Sequence, residues 1–162
     1  MLEMVQQKTQ LLLDIQLKYL QHPDYAIYHS LPAAGSYLEP ALLAKMADDR
    51  KRFPTPEVVQ AVAGTCPVTK QSGKSRQVTF RYACDHEFRQ IVQQWAKLSV
   101  QASPWAAGYY QMVRPHCRTE NEAYRKLANR WLEVLWKLWQ THLPYDEHKH
   151  LSSHARRVQP KA

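Results

Sequence analysis

A serine next to a glycine, Ser72-Gly73, lies in the segment from residue 65 to residue 84, which is suited to meeting a phosphate. Nearby cations lower the energy of negative charge, so an exposed serine in a basic segment could bind a phosphate or attack it. No general base is evident, because the nearest histidine along the chain is His86. On the residues alone, a serine that contacts phosphate or is merely solvated is favoured over a nucleophile.

Basic residues surround this serine, and no acidic residue lies between positions 70 and 81. They are Lys70, Lys74, Arg76 and Arg81. Such a charge run is either a solvated face or a surface for an anionic polymer, and composition alone does not separate the two. The run from Ser72 to Ser75 is not a Walker A loop, since Val68 stands where that motif has its first glycine. Nucleotide hydrolysis is therefore not indicated.

The segment Leu31-Pro32-Ala33-Ala34-Gly35 lies between two short predicted helices and has the layout of a helix-hairpin-helix. In that module the hairpin and the start of the second helix, here Gly35 and Ser36, offer backbone N–H groups to a DNA phosphate. Such hairpins usually carry two glycines, and Ala33 occupies the position of the first. The spacing alone favours an ordinary helix corner.

Metal ligands and acid–base carboxylates are not grouped in a pattern that predicts a site. Three histidines crowd the C-terminal tail near Asp146 and Glu147, but no cysteine is close to them. Asp48-Asp49 belongs to a predicted connector. We therefore expect no metal and no other cofactor within this chain.

The elements that must position these residues are predicted to be mainly helical, with one irregular basic loop or short β segment. An amphipathic helix spans 2–21 and ends before Pro23, and its polarity suggests packing on a partner helix. Capping residues predict the starts of four later helices: Thr55, Asp85, Ser103 and Thr119. Val78, Phe80 and Tyr82 alternate as in a strand, and the chain beyond His142 is expected to be a polar tail.

Composition restricts the class of protein. The 162 residues carry a net charge of +8, and 44% are hydrophobic, which predicts one compact domain with appendages and an anionic partner. Charged residues interrupt every apolar stretch, so we expect no membrane insertion, and the N-terminus has no secretory signal pattern. Three cysteines without a C-x-x-C pair are expected to be reduced. The tryptophans on apolar helix faces, Trp95, Trp131 and Trp136, are expected in the core.

Seven motifs in order resemble the C-terminal half of insertion-sequence transposases of the one-ten family, also called the one-sixteen, one-ten and nine-oh-two family. The resemblance covers about residues 24–155. The motifs are Leu31-Pro32-x-Ala34-Gly35, Asp48-Asp49-Arg50, Ala63-Gly64-Thr65-x-Pro67-Val68-Thr69-x-Gln71-Ser72-Gly73-Lys74-Ser75, Arg81-x-Ala83-Cys84-Asp85, Trp105-Ala106 with Tyr109-Tyr110, Leu127-Ala128-Asn129-Arg130-Trp131, and Tyr145-Asp146-Glu147 with His150-Leu151.

The resemblance implies a DNA recombinase whose serine nucleophile falls on Ser72. Full-length members join an N-terminal RuvC-like domain, with four metal-binding acidic residues, to this domain through a coiled coil. Some members are guided by a structured RNA that pairs with donor and target DNA. A divalent metal is expected only with the acidic domain. Three residues at two sites depart from the family pattern, Ala33 and Cys117-Arg118.

These considerations predict three parts: the end of a linker helix at 1–23, a transposase domain at 24–143 and a polar tail at 144–162. Within the domain, 24–47 is the helix-hairpin-helix-like unit and 65–84 is the serine loop. The expected function is that of a transposase fragment of the bacterial cytoplasm, inactive without the acidic domain. The predicted nucleic-acid contacts are Gly35, Ser36, Lys70, Gly73, Lys74, Arg76 and Arg81. The alternatives are a non-catalytic nucleic-acid-binding module, and a fragment that joins itself or an intact transposase through residues 2–21.

Overall fold

Two long amphipathic helices, α5 (His86–Ala102) and α7 (Glu120–Thr141), pack together at the centre of the fold. The computed structural model describes residues 1–73 and 75–158, apart from the side chains of Leu2, Lys70, Arg76 and 153–158. The other helices are α1 (Leu2–Leu20), α2 (Tyr25–His29), α3 (Gly35–Met46), α4 (Pro56–Val62), α6 (Pro104–Val113) and α8 (Glu147–Val158). The expectation of a mainly helical fold is confirmed.

Tryptophans pack where α5 meets α7, and Trp95 and Trp131 are buried in the core as predicted. The rings of Trp95 and Trp131 lie 4.8 Å apart between centroids, and Trp105 meets Trp131 edge-on at 4.8 Å. A buried indole N–H needs an acceptor, and Trp131 Nε1 donates to Ser99 Oγ at 2.8 Å. Trp136 is only partly buried and donates to the Phe53 carbonyl. The core is thus held by aromatic area together with directed hydrogen bonds.

Side-chain caps set the starts of the later helices. Asp85 accepts from Phe88 N at 2.9 Å, and Ser103 Oγ accepts from Ala106 N at 3.1 Å. Thr119 Oγ1 accepts from Glu122 N. The Glu122 carboxylate accepts from Arg118 N rather than from Thr119 N, so the capping box is shifted by one residue. Three predicted caps are confirmed.

Thr55 occupies the predicted N-cap position before α4, but its side chain makes no capping hydrogen bond there. Pro56 still begins that helix, because a proline at the first position has the required φ and lacks a donor that would be unpaired there anyway.

An antiparallel hairpin interrupts the helices, formed by β1 (Val68–Ser72) and β2 (Ser75–Thr79). Its register pairs Val68 with Thr79 and Ser72 with Ser75. The predicted alternation through Phe80 and Tyr82 extends too far, because β2 ends at Thr79. Phe80 turns instead toward the helical body.

The segment predicted as a polar tail contains a helix that packs on the body. The Glu147 carboxylate accepts from Ser103 Oγ at 2.9 Å and from Trp105 N at 3.1 Å, so it binds the N-terminal end of α6. Tyr145 O–H also donates to Glu147. These three hydrogen bonds to Glu147 hold the start of α8 on the body, although the composition of the segment is typical of a solvated tail.

Among the helices described, none is long and apolar enough to span a bilayer.

Candidate nucleic-acid interface

Ser72 lies at the end of β1, directly beside the hairpin turn, and its side chain is exposed. Gly73 follows with a φ of +53° and open space around its Cα, so the turn uses glycine's conformational freedom. Among the residues described, none forms a hydrogen bond with the Ser72 hydroxyl. The serine is therefore accessible, and no base in the described part of the chain is hydrogen bonded to it.

Three of the predicted phosphate contacts cannot be compared with the structure. Lys74 and the side chains of Lys70 and Arg76 lie outside the described residues. Arg81 is described and half-buried, and its Nε donates to the Cys66 carbonyl at 3.4 Å. It thus ties together the two ends of the hairpin segment.

Phe80 anchors the base of the hairpin through contacts with two guanidinium groups. The Cζ atoms of Arg89 and Arg125 lie 4.6 Å and 4.7 Å from the centroid of its ring. Tyr82 packs edge-on against the same ring, at 4.9 Å, and is itself 76% exposed. Cations over an aromatic face are attracted by its quadrupole, so this stack fixes the hairpin on α5 and α7.

Sequence reasoning missed Arg89 and Arg125. Both stand near the start of a long amphipathic helix, and they meet only because α5 and α7 pack side by side. Arg89 also donates to the Arg81 carbonyl at 2.9 Å, which links α5 to the hairpin directly. The usable signal was a basic residue near the N-terminal end of each helix, where the helix dipole does not favour a cation.

Gly64 allows the hairpin segment to approach the body closely. Its φ is +65°, and a Cβ at this position would lie 2.6 Å from Cys84 Sγ. Next to it, Thr65 Oγ1 donates to Asn129 Oδ1 at 2.8 Å. Asn129 also accepts from Gln60 through its carbonyl. Two motifs far apart in the sequence, around Gly64 and around Asn129, thus form a single support for the hairpin.

A concavity of about 380 Å³ opens at the base of the hairpin. Arg81 and Arg125 line it, together with an ion pair between Lys126 and Glu122. A hydrogen bond to the Cys117 sulfur, with a further one to Glu122, raises the pKa of Lys126 above its usual value. The concavity therefore has a cationic lining in which one carboxylate is already paired.

The corner before α3 has the backbone of a tight hairpin. Ala33 and Gly35 have φ values of +56° and +61°, so both positions of the expected glycine pair are left-handed. Gly35 and Ser36 are exposed at the start of α3. Their N–H groups are available there, since the first N–H groups of a helix have no partner within it.

The corner before α3 is not adjacent to the hairpin of β1 and β2, which we call the serine hairpin because Ser72 ends β1. Trp95 donates to the Pro32 carbonyl at 2.9 Å, whereas Lys45, near the other end of α3, pairs with Asp85 at 3.0 Å. α3 thus runs antiparallel to α5, with its C-terminal end toward the hairpin base. At 1.5 Å per residue, Gly35 lies about 15 Å from Lys45 along the helix.

The Asp48-Asp49-Arg50 motif forms part of an ion-pair network. Arg50 Nη2 donates to Asp24 Oδ1 at 2.7 Å, and Arg50 Nε donates to the Trp139 carbonyl at 3.2 Å. Burial alone would raise the pKa of Asp24, but the hydrogen bond and charge of Arg50 hold it below its usual value. The network joins the start of α2 to the end of α7.

His22, Asp24 and Asp48 bring three potential metal ligands together, but their hydrogen bonds do not suit a metal. His22 Nδ1 accepts from Asp24 N at 3.1 Å, so the ring proton lies on Nε2, which donates to Asp48 at 2.9 Å. A metal on Nε2 would require the other tautomer, and Arg50 already neutralises Asp24. We interpret the group as structural.

Comparisons with known proteins agree with the resemblance carried by the motifs. The profile described as "Transposase IS116/IS110/IS902 family" matches residues 25–111. A protein of Streptomyces coelicolor named "Mini-circle putative transposase for IS117" is 33% identical over 131 residues, which are 81% of this chain and 32% of that protein. The "Insertion element IS900 uncharacterized 42 kDa protein" of Mycobacterium paratuberculosis is 27% identical over 132 residues, which are 81% of this chain and 33% of that protein. The chain spans about a third of the length of these relatives.

Proposed function

This chain belongs to the IS116/IS110/IS902 family of transposases, and from that membership we propose that it is the part of a transposase that binds DNA and presents Ser72 to it. The observation that carries the proposal is an exposed serine at the tip of a hairpin in an otherwise helical fold. The hairpin is anchored at its base, so its tip is held away from the body. A net charge of +8 favours a polyanionic partner.

In the proposed reaction Ser72 Oγ attacks a DNA phosphorus. A serine–phosphate bond forms, the bond from phosphorus to one strand oxygen breaks, and that oxygen leaves with a proton while the serine proton passes to solvent. The family resemblance implies a divalent metal on the acidic domain. Since the one ligand group in the described residues does not suit a metal, no step here passes through a metal bound to this chain.

The backbone of DNA would be held at two separate places, toward opposite ends of α3. Gly35 and Ser36 offer N–H groups at one end, and the cationic concavity beside Arg81 and Arg125 lies toward the other. Contacts of this kind fix position and register without reading sequence. A structured guide RNA would supply sequence choice, if this chain works as the guided family members do.

The test of Ser72 is covalent capture of labelled DNA. The chain is mixed with the Streptomyces coelicolor relative in which the residue that aligns with Ser72 is changed to alanine, and with labelled DNA that carries the ends of that relative's element. We expect a denaturation-resistant protein–DNA adduct that disappears in Ser72→Ala. Ser75→Ala is the matched control, because Ser75 is exposed and pairs with Ser72 across the same turn. An adduct of undiminished yield with Ser72→Ala would contradict the assignment.

A second candidate function, association with another transposase chain, is favoured by α1. Tyr19 is buried, whereas large apolar side chains along the rest of the helix are exposed: Met4, Val5, Leu11, Leu12, Leu13, Ile15, Leu17 and Leu20. Apolar surface of this extent is typical of an interface. We propose that residues 2–21 pair with a second copy or with an intact transposase.

Sedimentation of the purified chain tests this pairing. We expect a dimer that becomes a monomer when Leu13→Lys and Leu17→Lys are combined. Gln6→Lys with Gln16→Lys adds the same charge to the same helix at polar positions and should leave the dimer intact. A monomer that also fails to join the full-length relative would exclude the second candidate.

A further inference from the structure

A polar groove lies between α5 and the first two turns of α7, on the surface next to the serine hairpin. Its volume is about 430 Å³. Four amide side chains line it, those of Gln90, Gln93, Gln94 and Asn121, and none of its lining residues is acidic. Lys97 and Tyr124 also contribute to the lining.

These four amides are not used by the fold. Within the described part of the chain, none of them is hydrogen bonded through its side chain, whereas other amides serve as internal braces. Gln60 donates to the Asn129 carbonyl, and Gln140 donates to the carbonyls of Arg50 and Phe53. An unengaged amide offers two donors and one acceptor to a ligand.

The spacing places the amides of α5 together. Gln90, Gln93 and Gln94 stand at positions i, i+3 and i+4, so they share one face of the helix. Asn121 faces them from the start of α7. Such paired donors and acceptors match the edge of a nucleobase, which side-chain amides recognise with two hydrogen bonds.

The groove joins the serine hairpin through Arg89. This residue lines the groove, lies over the Phe80 ring and donates to the Arg81 carbonyl. Tyr124 at the other side stacks on Tyr110, at 4.8 Å between centroids and 18° between planes. A strand that reaches the hairpin therefore passes a pocket with base-reading groups, an aromatic ring and the cation of Lys97.

We propose that this groove receives an unpaired base of the nucleic acid whose backbone lies along the hairpin, an inference that rests on the proposed nucleic-acid function. The groove is open to solvent, so a base that has left its stack can enter it and present its hydrogen-bonding edge to the amides. Lys97 holds the adjacent phosphate. Contact through amides gives a preference among bases that backbone contacts cannot supply.

The test is the affinity of the purified chain for three fluorescein-labelled probes, measured by anisotropy. They are a single-stranded DNA 20-mer of mixed sequence, the same strand with abasic sites throughout, and its duplex. For Gln90→Ala with Gln94→Ala, we expect binding to the base-containing strand to weaken about tenfold, because that factor lies within the range found for a single base–amide pair. Binding to the abasic strand and the salt dependence should not change.

Two further variants separate the base from the phosphate. Gln111→Ala removes an exposed amide on α6, outside the groove, and should bind all three probes like the unchanged chain. Lys97→Ala should weaken binding to both single strands and lower the slope of log K against log salt by about 0.7. Circular dichroism checks that each variant remains folded. A matching RNA 20-mer should lose the same factor in the double amide variant, since the amides read the base and not the sugar.

The outcomes separate this inference from the proposed function. If the double amide variant binds the base-containing strand unchanged, or loses the same factor on the abasic strand, the groove does not hold a base. A loss confined to the duplex would show that α5 meets paired DNA instead and would overturn the proposal. If the unchanged chain binds none of the probes at low salt, the proposed function fails and this inference fails with it.

Discussion

At the scale of single residues, types and spacing indicate chemistry but not the contacts that support it. Ser72 was a candidate from its neighbours alone, and the structure places it at an exposed tip. The contacts of Phe80 with Arg89 and Arg125 could not be predicted from the sequence. The two arginines are 36 positions apart and belong to different helices. Long-range contacts of this kind depend on the packing of whole helices.

Asp24 gives a pH dependence at this scale. Its carboxyl is 4% exposed, and Arg50 holds its pKa below the ordinary value of 3.8. The ionised form is therefore stabilised in the folded state, so this contribution is complete above about pH 4 and is lost as the pH falls through the lowered pKa. We expect the free energy of unfolding of Asp24→Asn to fall less steeply below pH 4 than that of the unchanged chain, in urea titrations at several pH values. Equal slopes would contradict the prediction.

At the scale of elements, the sequence predicted what is local. Asp85, Ser103 and Thr119 cap their helices as expected, since a cap depends on residues three positions apart. The sequence predicted less where contacts with a distant element determine the local structure. β2 ends at Thr79 because Phe80 is drawn to the helices, and the tail orders because Glu147 finds the start of α6.

The corner before α3 carries backbone strain that one change should relieve. Ala33 has a φ of +56°, a conformation that costs an L-residue about 1 kcal/mol and costs glycine nothing. We expect Ala33→Gly to raise the free energy of unfolding by about 0.5 kcal/mol, after the greater flexibility of glycine in the unfolded chain is deducted. Ala34→Gly, at a φ of −71°, should lower it. Urea denaturation measures both, and a loss of stability in Ala33→Gly would refute the strain.

The hairpin anchor can be tested as an element. Phe80→Leu keeps an apolar side chain but removes the ring that contacts two guanidinium groups. We expect the free energy of unfolding to fall by about 1 kcal/mol and amide hydrogen exchange to become faster across β1 and β2. Exchange in α5 and α7 should stay slow. Tyr82→Leu removes an exposed ring from the same cluster and should have a smaller effect. Equal effects of the two changes would mean that the contacts of the Phe80 ring with Arg89 and Arg125 do not anchor the hairpin.

At the scale of the whole molecule, a helical body carries the surfaces that we propose for nucleic acid and for protein. The central helices are tied by tryptophans and by Arg50, while the serine hairpin and the apolar face of α1 project from this body. An excess of positive charge remains, since the net charge is +8. Its effect on the proposed DNA binding depends on where the cations are along the chain and not on their number alone.

The salt dependence of DNA binding tests whether the cations of the basic segment or the net charge of the whole chain attract the DNA. Each phosphate neutralised by a cation releases counterions, and the slope of log K against log salt on duplex DNA changes by about 0.9 for each one. If the basic segment meets the backbone, changing Lys70, Lys74 and Arg76 together to alanine should flatten the slope by about 2.7 and weaken binding to every sequence alike. Lys8→Ala with Lys18→Ala removes charge from α1 and should leave the slope unchanged, because that helix is proposed to meet protein. Equal flattening by both sets would mean that net charge alone, and not the serine hairpin, attracts the DNA.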